Sequence, residues 1–235
     1  MAVNLSVMNS MIYVMTLIKN QRLNVNGQEP AVTMANIVLQ RMLAPPFVYR
    51  FNRFSFSVPV TQAGGTDYSV VLPTLGIIET QWLTDSASKI FELEGAVSIP
   101  KVSAIRRPQK VAPVYDDNAG NITLRFSSVP DQAYTAYFDA QNKAPIITSP
   151  GETFGPVPDE FGHLFNIGML SQGALLVNDS RFTIWERQFI GGILATQDGL
   201  DAQAKAIFFE QMLNFGRVAT RSQGAAQAGT QGRQQ

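Results

Sequence analysis

Asn121 to Phe165, NITLRFSSVPDQAYTAYFDAQNKAPIITSPGETFGPVPDEFGHLF, is the stretch whose reading decides the fold. In its first part, Ile122 to Phe126 and Tyr134 to Phe138 alternate large or branched apolar residues with small or polar ones, the period of two of half-buried strands. The two runs read as an antiparallel hairpin, with Ser127 to Gln132 as its connection. Pro130-Asp131 suits that turn, because proline presets φ and aspartate bonds back to nearby amides. Pro145, Pro150, Pro156 and Pro158 then forbid helix or central strand and predict a stiff crossing segment. Beyond Pro158 the apolar period becomes helical, so a β-region and a helical region meet across this crossover.

The chain has 235 residues and 45% hydrophobic content, enough for one large domain or two small ones with a real core. Lys+Arg and Asp+Glu both number 18, so no global basic field attracts nucleic acid. The absence of cysteine removes disulfides, thiolate catalysis and Cys-based metal sites, and one histidine cannot build a His cluster. The apolar start, MAVNLSVMNSMIYVMTLIKNQR, lacks a basic beginning and a small-residue cleavage site, and Asn4, Ser6, Asn9, Ser10 and Thr16 interrupt it. The expectation is a protein made in the cytoplasm that does not span a membrane.

Outward from the central stretch, Asn4 to about Gln21 carries Leu5, Met8, Ile12 and Met15 at helical spacing, broadened by Val7, Met11 and Val14. That breadth fits a helix between two layers, or one that touches a neighbouring subunit. Pro30 opens a second helix with Val32, Ala35, Leu39 and Met42 on one stripe, and Pro45-Pro46 ends it. Phe54 to Val60 and Tyr68 to Leu72, around Gly64-Gly65, read as one hairpin; Gly76 to Leu83 and Lys89 to Leu93 read as a second. From Asp159 three helices follow. The second begins after Asn178-Asp179-Ser180 and lines up Phe182, Trp185, Phe189 and Ile193 as a buried seam, which puts the cost of Trp185→Ala at about 3 to 5 kcal/mol. The third spans about Asp201 to Phe215. The last segment, ATRSQGAAQAGTQGRQQ from Ala219, has no apolar side chain larger than alanine and reads as a disordered arm.

Signs of chemistry are few. His163 lies near Asp159 and Glu160, but no strained nucleophile motif accompanies it. Glu92 and Glu94 alternate along one strand and would face one side together, an arrangement that suits a solvated sheet face better than a catalytic acid pair. Phe47 to Phe56 interleaves aromatics with Arg50 and Arg53, the composition of a stacking platform for single strands, though it is too short and too weakly basic to argue for one. Asp116 to Asn121 lacks the ligand spacing of a calcium loop and reads as a turn between two strands. No catalytic residue, cofactor site or metal site is assigned, and the expectation is a protein that is not an enzyme.

Two apolar N-terminal helices, a β-rich middle, the long run ending in PDEF, and helices carrying NDSRFTIWERQF together resemble the head-to-tail adaptor proteins of tailed bacteriophages, from Met1 to about Arg217. The resemblance implies an α+β fold in which N- and C-terminal helices form a helical bundle with an inserted antiparallel β-domain. The divisions then fall at 1–50 and 159–217 for the bundle, 51–142 for the β-domain, 143–158 for the crossover and 218–235 for a portal-docking arm. It implies a virion protein of the neck, forming a twelve-fold ring between the portal protein and the tail nozzle or tail tube protein. DNA would pass through the lumen during ejection without sequence-specific binding. Arg217, Arg221, Gln223, Gln227, Gln231 and Arg233 would line the arm's contact with the portal. A different class also stands: a β-rich tail component or carbohydrate-binding module that stacks sugars on Tyr68, Trp82 and Tyr115.

Overall fold

The computed structural model describes residues 6–20, 22–23, 29–116, 120–154, 157–197 and 199–213. They divide into two compact units, one drawn from Met1–Met42 with Pro145–Gln235 and the other from Leu43–Ala144.

In the first unit, α1 (Val7–Leu17) starts at Ser6, whose Oγ accepts the Asn9 amide at 3.2 Å and satisfies one of the helix's orphan donors. Two more of those donors are taken by the proline-rich crossover: the Val7 and Met8 amides donate to the carbonyls of Glu152 and Pro150. The crossover is also tied to α2 (Ala31–Leu43), where the Asn36 side chain donates to the Ile147 carbonyl at 2.9 Å and accepts the Ile147 amide at 2.8 Å. An asparagine amide thus stands in for the strand partner that a proline-bounded loop cannot have. Val32, Ala35, Leu39 and Met42 are buried as their stripe predicts.

Helix α3 (Gly162–Val177) is buried along most of its length and is entered through a short 3₁₀ turn at Asp159–Phe161. Its glycines are points of close approach. A Cβ on Gly168 would stand 2.7 Å from both Phe189 Cε2 and Val38 Cγ1, and one on Gly173 would stand 2.8 Å from Val14 Cγ1. In α4 (Phe182–Ala195) the buried face is Glu186, Phe189, Ile190, Ile193 and Leu194. Phe182 and Trp185 are only half-buried, and the Arg181 guanidinium lies 4.8 Å over the Trp185 ring. The buried seam is therefore shifted by one position from the one expected, and Trp185→Ala is now expected to cost about 1–2 kcal/mol, the loss of a partly covered ring and one cation–π contact. A melt lowered as far as a core deletion would lower it would show the indole to be fully packed. A last helix, α5, covers 202–213, with Asp201 Oδ1 accepting the Ala204 amide at 2.7 Å.

The second unit holds β1 (Arg53–Val60), β2 (Asp67–Val71), β3 (Leu75–Asp85), β4 (Ile90–Glu92), β5 (Glu94–Gly95), β6 (Lys110–Asp116), β7 (Asn121–Phe126) and β8 (Tyr134–Asn142). One sheet has the order β1-β8-β3-β4 and the other β2-β7-β6-β5. Their inner faces share one core, in which Val58, Val60, Leu83, Ala136 and Phe138 of the first meet Val111, Ile122, Leu124 and Phe126 of the second.

This architecture overturns the expectation of a helical bundle with an inserted antiparallel β-domain. The chain is a mixed α+β protein in which two four-stranded sheets are a principal component, and β5 runs parallel to β6. Two expected hairpins also fail. The β7 and β8 strands lie in different sheets, as do β1 and β2. Residues 127–133 are a crossing between sheets, held by the Val129 amide on the Ala104 carbonyl and by the Ser128 hydroxyl on the Arg106 carbonyl at 2.9 Å. The β1 to β2 crossing turns at Gly65 (φ 70) and is pinned by Tyr68, whose hydroxyl donates to the Thr61 carbonyl at 2.5 Å and accepts the Thr61 amide at 3.0 Å. The physical reason is that alternation fixes which face of a strand is buried, while partner choice depends on which connections can bend across a core. The pairing of β3 with β4 and of β6 with β7 is as expected.

Candidate functional site

The exposed surfaces carry the functional argument. On α1 the outward arc consists of Met8, Asn9, Ile12, Tyr13, Thr16 and Leu17. Met8, Ile12, Tyr13 and Leu17 are 41%, 47%, 41% and 40% exposed, while Val7, Met11 and Val14 on the opposite arc are fully buried. A helix with a closed inner face and an apolar outer one has surface left for a partner. Arg181 reaches this helix, donating to the Leu17 carbonyl at 3.1 Å while its other groups grip Asp179. That guanidinium holds the Asp179 carboxyl below the usual carboxylate range.

The outer face of the first sheet is polar at one end and aromatic in the middle. Arg53 donates Nε to Glu79 at 3.2 Å, Gln141 donates to the same carboxylate, and Ser55 and Thr80 donate to Asp139 at 2.6 and 3.1 Å. Arg53 is thereby neutralised. Phe47 and Tyr49 are buried and Phe51, Phe54 and Phe56 half-buried, so the aromatic and arginine run builds the core and offers no stacking platform for single strands. Beside the network, Trp82 stacks on Tyr137 with centroids 5.6 Å apart and planes 10° from parallel. The three aromatics expected to act on sugars are not brought together. Trp82 faces outward with Tyr137, Tyr68 turns inward onto Phe126, and the Tyr115 side chain lies outside the described residues.

Glu92 and Glu94 are separated as well. The chain changes sheets at the buried Leu93, leaving Glu92 in register with Trp82 and Glu94 3.0 Å from Lys110 Nζ. His163 is exposed at the rim of a cavity of about 390 Å³ formed with Glu160, Ile167, Gln188 and Thr196. The Thr196 hydroxyl is committed to the Ile193 carbonyl at 2.6 Å. Of the turn at Asp116 to Asn121, residues 117–119 lie outside the described ones; among those described, no group of three or more acidic or histidine side chains is placed to hold a metal. No described helix is long and apolar enough to cross a membrane. Arg217, Arg221, Gln223, Gln227, Gln231 and Arg233 all lie outside the described residues.

The second sheet carries a strongly perturbed carboxyl, that of Asp67. Arg125 grips Asp67 through Nε at 2.7 Å and Nη2 at 2.9 Å, with Lys101 Nζ at 3.5 Å. Hydrogen bonding to Arg125 is the main cause that lowers the Asp67 carboxyl from 3.8 to about 2. Because the folded value lies below the unfolded one, the stabilisation is complete above pH 3.8 and is lost as pH falls through about 2. Asp67→Asn is expected to flatten that acid limb and leave the stability profile above it parallel to the parent's. Urea midpoints measured across the window check this, and an unchanged acid limb would show the bridge contributes nothing.

A second cleft of about 690 Å³ opens between the sheets beside β3, with Leu75, Ile77, Ile78, Val111, Ile122 and Leu124 among its walls and no charged residue among the described residues of its lining. A scan against protein-family profiles and a search of curated proteins both find no match for this chain.

Proposed function

We propose that the protein is a structural virion component, a head-to-tail adaptor that forms a ring between the portal and the tail and encloses part of the DNA conduit. The observation that carries this reading is the apolar outer arc of α1, Met8, Ile12, Tyr13 and Leu17, on a helix whose inner arc is already fully packed. An exposed apolar face on a helix whose other side is packed suits a subunit that meets neighbours. The sequence resemblance supplies the kind of assembly. Size-exclusion chromatography with light scattering, on the protein mixed with portal, tests it: a ring-sized complex is expected, and a species that stays small and unbound at every ratio refutes it. The arm completes the reading. Deleting 219–235 is expected to leave the melting temperature unchanged and to weaken portal docking, with repetition around the ring amplifying each weak contact. Unchanged affinity in the truncated protein would remove the arm from the interface.

The stacked Trp82 and Tyr137 pair favours a second reading, a tail component that binds carbohydrate on the outer face of the first sheet beside Asp139. In that case Trp82→Ala abolishes retention on a host-surface polysaccharide and leaves portal mixing without effect.

A further inference from the structure

On the outer face of the first sheet we infer a docking site for an arginine side chain of a partner protein, seated on Trp82 and answered by Glu92. The inference goes beyond the ring reading and does not depend on it. The strand register places the site. Ser57 of β1, Tyr137 of β8, Trp82 of β3 and Glu92 of β4 stand opposite one another in one row across all four strands. Because β4 pairs with β3 only at Trp82, Leu83 and Thr84, Glu92 closes that row at the edge of the sheet. The neighbouring row is Ser55, Asp139 and Thr80, in which both hydroxyls donate to the Asp139 carboxylate. The two rows therefore carry two carboxylates, two stacked rings and no cation.

The helical unit shows what such a set of groups holds. There Arg41 bonds to Glu186 and lies 5.0 Å over the Phe189 ring, and Arg181 grips Asp179 at 2.7 Å and lies 4.8 Å over the Trp185 ring. In both places one guanidinium serves a carboxylate and an aromatic face at once. On the first sheet the carboxylate and the ring recur, and among the described residues no cation of the chain serves them. Arg53, one row further along, is bonded to Glu79, and Lys89 and Arg107 lie over Phe91, which alternates with Glu92 and packs against the inner core. Tyr137 stacks on Trp82 from β8, and on the β4 side stands Glu92, with directly opposed Cβ atoms about 4.5–5.5 Å apart. A guanidinium laid on Trp82 is then within reach of the Glu92 carboxylate. Charge complementarity names a cation as the occupant, and the planar guanidinium is the cation that both stacks on a ring and donates two parallel hydrogen bonds to one carboxylate.

In a Trp185→Phe background the remaining tryptophan is Trp82, and its emission reports on the site. At physiological ionic strength a hexa-arginine peptide is expected to shift that emission saturably, a hexalysine peptide to bind more weakly, and a hexa-citrulline peptide, of nearly the same shape without the charge, to leave it unchanged. Glu92→Gln is expected to weaken the arginine peptide about fivefold, the worth of one solvent-exposed ion pair, while Glu160→Gln, which removes the same charge from the helical unit, leaves binding as it was. No shift with hexa-arginine, equal binding of hexalysine, or a Glu92→Gln chain that binds as the parent does overturns the proposal. So does a shift that hexa-citrulline produces equally, and that outcome, joined by retention on a neutral polysaccharide, gives the face to the carbohydrate reading. The ring reading is tested separately, by mixing with portal.

Discussion

Glu186→Ala is expected to lower the stability of the helical unit by about 3–5 kcal/mol, the usual cost of stranding a buried charge by removing its partner. Glu186 is 2% exposed on the buried face of α4. Its carboxylate takes two hydrogen bonds from Arg41, Nη1 at 3.2 Å and Nη2 at 2.5 Å, and a third from the Ser171 hydroxyl, which is itself completely buried on α3. One acid therefore ties three helices. Its removal leaves the Ser171 hydroxyl unpaired and takes from Arg41 the partner that holds it 5.0 Å over the Phe189 ring. The Arg41 side chain is 24% exposed and regains some water, which places the loss toward the lower end of the range. The chain has two tryptophans, Trp82 in the β-unit and Trp185 in the helical one. In a Trp82→Phe background the fluorescence midpoint in urea reports on the helical unit alone, and a shift equivalent to less than about 1 kcal/mol would mean that the cluster is dispensable.

Phe138→Ala should cost the β-unit about 3–5 kcal/mol, as deleting a fully buried aromatic does when the surrounding core relaxes only in part. Phe138 is fully buried on β8, a strand with neighbours on both sides, and stacks on Phe56 with centroids 4.7 Å apart. The cavity would open between the two sheets. Phe138→Leu, which keeps much of the volume, is expected to recover more than half of the loss. With Trp185→Phe as background, the Trp82 signal isolates this unit, and a midpoint unchanged in Phe138→Ala would place the ring outside the core.

The elements were legible in the sequence wherever a period could be counted. The stripe Val32, Ala35, Leu39, Met42 found α2, and the alternation in Ile122 to Phe126 and Tyr134 to Phe138 found β7 and β8. Their partners were not legible. A strand that alternates shows the same pattern whether it meets its neighbour in sequence or, as β1 meets β8, a strand more than seventy residues away. Pro130-Asp131 suited a hairpin turn equally well as a crossing between sheets, and only the segment near Ala104 and Arg106, which grips residues 128 and 129, decides between them. Glu186 was missed for a different reason: in WERQFI a glutamate beside arginine reads as solvated surface. Its spacing of three and four from Phe189 and Ile190 was the available signal, since it puts the carboxylate on the apolar face. The cleft beside β3 left no trace in sequence, because it arises from what β4 does not cover.

The first unit is assembled from the two ends of the chain with the second unit's residues between them, and this sets the order in which they can fold. On the ribosome α1 and α2 emerge early, yet Val14, Val38 and Met34 close against Gly173 and Gly168 of α3, a helix made some 130 residues later. At about 5–20 residues per second, roughly 6–26 s of synthesis separates them. For that interval both helices lack the α3 surface they pack on, while the strands of residues 43–144 are completed and can close their core. The packing that α1 and α2 make with α3 is thus available only once residues 162–177 have been synthesised.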